Sequence, residues 1–318
     1  MKKIFLAVAI STIALSASAQ EFATINPDAR TAAMGDATVS ATADAYAVYN
    51  NAAAPLFDYQ SVQVGYTYAP WMSSEKRGSD LMSVAGFVKM GQRHALSFGG
   101  RLFREPKFAT AGDYPFIPTD ENGNTDNGVG KFTRPNGKSL EVAYGLKVCE
   151  QVALALTARY LHYANGLDDK YSAMNFDLAL YSQLPMSYRD GATLNIGAQI
   201  SNGGFSMTEG GFVQPLTAKA GVSLYTPFGD SHSLLAAADW GYRIMPVGMR
   251  GVLANVGLEY SLMQLLKFRA GYAHNMYDYA TVGLGLRFMH VQVDASYWAA
   301  GKNCPWRNTF RVGVGLEF

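Results

Sequence analysis

Charge, cysteine and long apolar runs are all scarce in this chain. Charged residues make up 16% of its 318 residues and the formal net charge is +1, which leaves no basic footprint for a nucleic-acid partner. Cysteine occurs only at Cys149 and Cys304. That is too few for a disulfide framework, although a single bridge stays open in an oxidising compartment. Past residue 19, no apolar stretch approaches the ~18 residues of a membrane helix. The histidines, His94, His162, His232, His274 and His290, fall on different segments, with neither an H-E-x-x-H nor a Cys/His cluster. No metal centre or cofactor is expected. Gly128 to Lys131 lacks the spacing of a phosphate-binding loop. Serines near His162 or His274 are a coincidence that many such chains would carry, so the chain reads as non-enzymatic.

What is abundant is alternation. Phe310, Val312, Val314, Leu316 and Phe318 are interleaved with Thr309, Arg311, Gly313, Gly315 and Glu317. Neighbouring side chains of a strand point to opposite faces, so this stretch has one apolar face and one polar or small face. The same pattern recurs upstream, for example over residues 280–288, 254–260, 216–224, 194–200 and 140–146. About fourteen such segments can be counted, each near the ~9–11 residues of a tilted membrane strand. Residues 81–89 fit worst, because Leu81 and Phe87 share the face of Ser83.

Two independent features agree with a barrel. Connections alternate between short (149–150, 185–191, 261–266) and long (104–138, 202–215, 299–308), with 274–278 the exception. That is the layout of short periplasmic turns, longer external loops and both termini in the periplasm. Charged residues also keep to the polar face: Glu141, Lys147, Arg159, Asp177, Lys219, Asp239, Glu259, Arg269, Arg287, Asp294 and Arg311. Facing lipid, a Lys or Arg near the midplane would cost roughly 2–4 kcal/mol. Inside, these groups can pair, and a lattice of ion pairs is expected. Tyr68, Trp71, Tyr160, Tyr163, Trp240, Tyr242, Tyr297 and Trp298 lie near strand ends and read as interfacial anchors. Residues 1–19, with Lys2 and Lys3, an apolar core over 4–15 and Ala17-Ser18-Ala19, read as an export signal cleaved before Gln20. The expected fold is all-β: an antiparallel transmembrane barrel of about fourteen strands over residues 60–318, set in outer-membrane lipid. Cys149 then falls in a periplasmic turn and Cys304 in the last external loop, too far apart to pair.

Residues 20–59 do not alternate. Asn26-Pro27 looks like a helix cap with proline in the first turn, and Gly35 like a stop. A second helical turn is expected over residues 44–49. Rich in Ala and Gly, the segment can pack tightly and suits a plug in the lumen. Ala29-Arg30-Thr31-Ala32-Ala33-Met34-Gly35-Asp36-Ala37, then Asp44-Ala45 and Tyr49-Asn50-Asn51-Ala52, resemble the N-terminal signature of PorV/PorQ-like proteins. Those are outer-membrane barrels of the Bacteroidetes type IX secretion system, akin to FadL-type fatty-acid channels. Here Asn51-Ala52 replaces the usual Asn-Pro, the next proline is Pro55, and no Trp follows Tyr49. The resemblance implies a plug motif of Arg30, Met34, Gly35, Asp36, Asp44 and Asn51. It also implies secreted proteins or secretion machinery as partners. The FadL-like architecture carries the alternative, a channel for a small hydrophobic ligand.

The connection 104–138 holds an apolar cluster, Tyr114, Phe116 and Ile117 between Pro115 and Pro118, and is the candidate external partner loop. Its stretch 120–126 spaces oxygen side chains as a Ca²⁺ loop does. Thr125 stands where such a loop has Gly and Lys131 where it has the closing Glu, so a solvated loop is expected.

Overall fold

A sheet of strands with one apolar and one polar face leaves two unpaired edges unless it closes on itself. Here it closes. The computed structural model describes residues 22, 24–71, 78–110, 131–166, 169–209, 211, 214–229, 231–302, 304 and 307–318. The export-signal residues, the Tyr114, Phe116 and Ile117 cluster and the 120–126 stretch lie outside these. Fourteen strands form the barrel: β1 Val62–Trp71, β2 Ser79–Met90, β3 His94–Arg104, β6 Asn136–Cys149, β7 Val152–Ala164, β8 Lys170–Pro185, β9 Thr193–Ser206, β10 Thr217–Phe228, β11 His232–Arg243, β12 Gly251–Leu262, β13 Leu266–Asn275, β14 Tyr277–Phe288, β15 Val291–Ala300 and β16 Phe310–Glu317. Each pairs antiparallel with its neighbours, and β3 passes directly to β6. Between them β4 (Phe108–Thr110) and β5 (Lys131–Thr133) form a separate two-stranded ribbon in the long connection. The ribbon was not anticipated from the sequence.

Closure joins β1 to β16 in register from Gln63↔Glu317 to Tyr68↔Val312. Beyond the ladder, the Ser61 and Val62 amides both donate to the Phe318 carbonyl, at 2.8 and 2.9 Å. The alternation read from the sequence becomes exposure: Leu140 is 67% exposed and Glu141 1%. All eleven charged residues assigned to the polar face point inward. Among the described residues no helix is long and apolar enough to cross a membrane. Neither cysteine forms a disulfide among the described residues; Cys149 is exposed and Cys304 buried.

Residues 22–58 run through the barrel interior and explain the one segment that patterned badly. Leu81 packs with Phe22, Ile25 and Trp71, while Ala85 packs with the Leu56 cluster. The inner face of β2 therefore meets protein instead of water, and an apolar residue beside Ser83 is no misfit.

Two expectations are corrected. Trp71, Tyr163 and Trp298 are not interfacial anchors; they sit on the inward parity and are buried, whereas Tyr68, Tyr160, Trp240, Tyr242 and Tyr297 face outward. The helix cap is Asp28, not Asn26. The Asp28 carboxylate accepts from the Arg30 and Thr31 amides at 2.9 and 3.0 Å and starts a short helix, Ala29–Ala32. Asn26 instead accepts from the Asp28 amide at 3.0 Å, and Pro27 stays outside the helix. The helical turn expected over residues 44–49 is present as consecutive turns: the Asp44 side chain accepts from the Tyr46 amide at 2.8 Å, and the Asn50 amide donates to the Tyr46 carbonyl at 3.2 Å. A 3₁₀ turn, Ala54–Phe57, follows with Pro55 in its first positions.

The interior fit depends on missing side chains. A Cβ on Gly257 would lie 2.3 Å from the Met34 carbonyl oxygen, and one on Gly197 2.0 Å from that of Val39. Gly257→Val should therefore loosen the segment at a cost of about 1–3 kcal/mol. The strand ladders do not run through it and should survive. Hydrogen exchange on the refolded variant checks this: protection should fall over residues 29–41 and hold in the strands. Unchanged protection over 29–41 would refute the tight fit.

Candidate functional site

The interior segment is short of its own secondary structure, so its backbone polar groups must find partners on the barrel wall. Thr281 Oγ1 accepts from the Gly35 amide and donates to the Ala33 carbonyl, both at 2.9 Å. Asn255 Nδ2 donates to the carbonyls of Gly35 and Asp36 at 2.7 and 2.9 Å. The Asp239 carboxylate accepts from the amides of Thr38 and Val39 at 2.6 and 2.8 Å. Ser223 Oγ donates to the Ser40 carbonyl at 2.6 Å, and Trp298 Nε1 to that of Ala32 at 3.3 Å. The chain is pinned to β10, β11, β12, β14 and β15 within about ten residues of sequence.

Each residue of the proposed plug motif has a distinct place. Arg30 is buried and makes a two-point contact with Glu259, Nε to Oε2 at 2.8 Å and Nη2 to Oε1 at 3.1 Å. It also donates to the Thr42 carbonyl at 2.9 Å and lies 3.4 Å from Asp44. Burial and the neighbouring Asp28 carboxylate push the Asp44 carboxyl well above its usual range, against the pull of Arg30. Met34 is fully buried with Ala37, Leu235 and Ala237. Gly35 takes φ +65°, and a Cβ there would come within 2.6 Å of the Val256 and Tyr272 carbonyl oxygens. Only glycine satisfies both demands. Asp36, also at positive φ, accepts from Asn26 Nδ2 at 2.8 Å and from the Tyr279 hydroxyl at 2.7 Å. Asn51 Nδ2 donates to the carbonyls of Val39 and Leu180 at 2.8 and 2.9 Å, tying the segment to itself and to β8. These six residues do not converge on one point. They are spaced along the segment as fasteners.

Two ladders of buried ions hold the segment. One runs Arg101–Glu141–Arg159–Asp177 across β3, β6, β7 and β8, with contacts of 2.9, 3.4 and 2.8 Å. Tyr49 donates to Glu141 at 2.9 Å and Arg101 donates to the Ile25 carbonyl at 3.2 Å. The other runs Arg30–Glu259–Arg269–Asp294, with Arg269 at 2.6 Å from both carboxylates. In the strand order the second ladder lies half a ring from the first, so they stand on opposite walls. Between them, Arg311 is fully buried, its guanidinium 4.0 Å from the Trp298 ring and 5.0 Å from the Trp71 ring. Asp239, Thr281, Asn255, Arg101 and Trp298 were not singled out as site residues from the sequence. The signal available was a polar or oddly large residue on the inward parity, which does not say what it faces.

The segment borders two cavities. One of about 110 Å³ is lined by Asp36, Arg101, Arg159, Asp177, Lys219 and Arg243. A larger one of about 500 Å³, on the side of the short turns, is lined by Arg30, Asp44, Asp58, Glu259, Lys267 and Arg287.

The described residues form a closed fourteen-stranded barrel that holds its own N-terminal segment. The family model described as type IX secretion system protein PorV matches residues 11–204, and the chain belongs to that family. Among solved structures, the CymD monoaromatic hydrocarbon channel superposes with a TM-score of 0.60 at 11% identity, covering 93% of this chain and 98% of that one. The toluene transporter TodX of P. putida gives 0.54 at 12% identity, with 91% and 97% covered. The toluene transporter TbuX of Ralstonia pickettii gives 0.53 at 11%, with 92% and 96% covered. At these identities the likeness is one of fold, the FadL-like barrel that the resemblance implied. No curated protein matches the sequence.

Glu259 bridges two guanidiniums, whereas Arg30 is one of two partners for Glu259. Glu259→Gln leaves two buried cations short of charge and should cost about 3–5 kcal/mol. Arg30→Met should cost less, because Arg269 still neutralises the carboxylate. Urea-dependent exposure of a cysteine probe placed in the segment gives both values. The reverse order would contradict the ladder.

Proposed function

We propose that this protein is an outer-membrane component of type IX protein secretion that works as a plugged barrel, contacting exported proteins or machinery partners. The observation that carries the reading is the family match, which takes in the interior segment and the first half of the wall. Residues 20–59 are the plug and residues 60–318 the membrane wall, with residues 1–19 the cleaved export signal. The outward faces supply the apolar band: Leu140, Val142, Val256, Leu258, Val282 and Leu284 are all exposed on strand midsections. The C-terminus and the start of β1 lie on the periplasmic side in this reading, since Phe318 bonds Ser61 and Val62 at the end that carries the short turns. The expectation of both termini there is corrected, because Phe22 packs against Phe103 and Tyr163 at the long-loop end. The Tyr114, Phe116 and Ile117 cluster is the proposed external contact for a partner. The protein acts by binding, without catalysis.

A conduit for a small hydrophobic molecule is the second reading. The shared fold with hydrocarbon channels favours it. Against it stands the smaller cavity, lined mostly by polar and ionic side chains, which offers an apolar solute no continuous greasy surface. The larger one mixes Phe57, Tyr181 and Tyr225 with its ionic groups.

Two measurements test the proposal. Val256→Arg, outward on β12, should weaken folding into lipid bilayers by roughly 2–4 kcal/mol while Asn255, inward, stays within the lumen. An unaffected variant would remove the membrane reading. Deletion of the gene should deplete secreted proteins from the surface proteome. Normal secretion together with a growth defect on an apolar nutrient would replace the first reading with the second.

A further inference from the structure

Cross-strand register sets two rows of side chains on the outer wall. Tyr66, Val84, Gly100, Leu140 and Tyr160 are successive partners from β1 to β7. One step toward the long loops, Met82, Leu102, Lys138, His162 and Ser172 are successive partners from β2 to β8. Gly100 contributes no side chain to the first row. A cleft of about 570 Å³ opens there, walled by Met82, Val84, Leu102 and Leu140. Packing does not impose the gap. A Cβ on Gly100 would meet its nearest neighbours, Leu140 Cδ2 and the Ser139 carbonyl oxygen, at 3.6 and 3.7 Å, which is ordinary contact.

The rim above the cleft is cationic. Lys138 and Lys170 are exposed, and neither has an ion-pair partner among the described residues. Ser172 Oγ lies 3.0 Å from His162 Nδ1 and 3.1 Å from the Tyr160 hydroxyl, a polar chain between the lysines. Two of the described acids near it are held by neighbours. Asp80 is gripped by Arg104 at 2.7 and 3.0 Å and by Arg134 at 3.0 Å. Asp169 accepts from Asn165 Nδ2 at 2.9 Å.

We propose that this cleft is a binding site for one phosphate-bearing lipid, an acyl chain lying over Gly100 and the headgroup held by Lys138, Lys170 and the Ser172–His162 pair. The proposal rests on the membrane reading above, under which this wall faces hydrocarbon and the rim sits at the headgroup level by the long loops. Charge complementarity selects the occupant. A zwitterionic lipid leaves the two lysines unneutralised, and a free anion makes no use of an apolar cleft.

Native mass spectrometry of the delipidated, detergent-purified barrel tests it, with dioleoylphosphatidylglycerol or dioleoylphosphatidylcholine titrated in. One phosphatidylglycerol should be retained in preference to phosphatidylcholine. Lys138→Gln with Lys170→Gln should weaken that binding about twenty-five-fold, from about fivefold for each basic group at an anionic headgroup. Gly100→Trp, which fills the cleft and leaves the lysines, should abolish the adduct. Heat-modifiable migration of every variant shows that the barrel is closed. Equal retention of the two lipids, an unchanged adduct in either variant, or its displacement by inorganic phosphate alone would overturn the site. Insertion of the wild type into lipid vesicles is scored separately. Failure there would strike the membrane reading itself, whereas normal insertion with equal retention would strike only the lipid site.

Discussion

Every strand edge in this molecule has to be paired, and the pairing of β1 with β16 is what completes the ring. Without it, the Val62–Trp71 and Phe310–Glu317 edges would present unsatisfied amides and carbonyls to whatever surrounds them. With it, the wall satisfies its own backbone laterally, and each strand is free to put opposite chemistry on its two faces. The outward face carries Leu140, Val142 and Tyr144, while the inward face of the same strand carries Ser139, Glu141 and Ala143. Closure is therefore the reason that a chain with so little charge can place most of its strand charges where they meet one another.

Charge brought inside a closed wall is costly unless it is paired and hydrogen-bonded. The barrel meets this in part by itself, as in Arg159 between Glu141 and Asp177, and in part through the N-terminal segment. Arg30 enters the second ladder as a member, so the wall and the segment share one set of ions. Asp239, whose carboxylate caps two segment amides, shows the converse: a wall carboxylate hydrogen-bonded by backbone donors. The segment is thus part of the interior's electrostatics, and a rearrangement of it has to break ion pairs and carbonyl contacts together.

Much of this was legible beforehand because β-strand side chains have a period of two, and a period-two pattern survives without knowledge of any distant contact. The strand count, the inward placement of Glu141, Arg159, Glu259, Arg269 and Arg311, and Gly35 as a backbone stop could all be read locally. What misled was position near a strand end. Near strand ends Trp71 and Trp298 read as surface aromatics, yet both stack around Arg311 in the interior, because parity, not distance from the end, decides which face a residue takes. Likewise Pro27 suggested a helix start at Asn26, whereas Asp28 was the better side-chain acceptor for the free amides.

By itself the sequence determined the alternation of each strand, the polar identity of the inner face and the break in pattern at residues 20–59, since these depend only on near neighbours along the chain. The tertiary structure alone decided which inward groups meet. Arg30 and Glu259 are 229 residues apart, and Thr38 and Asp239 201 apart. Such pairings follow from the closed ring's register and from where the segment threads it, so no local pattern encodes them.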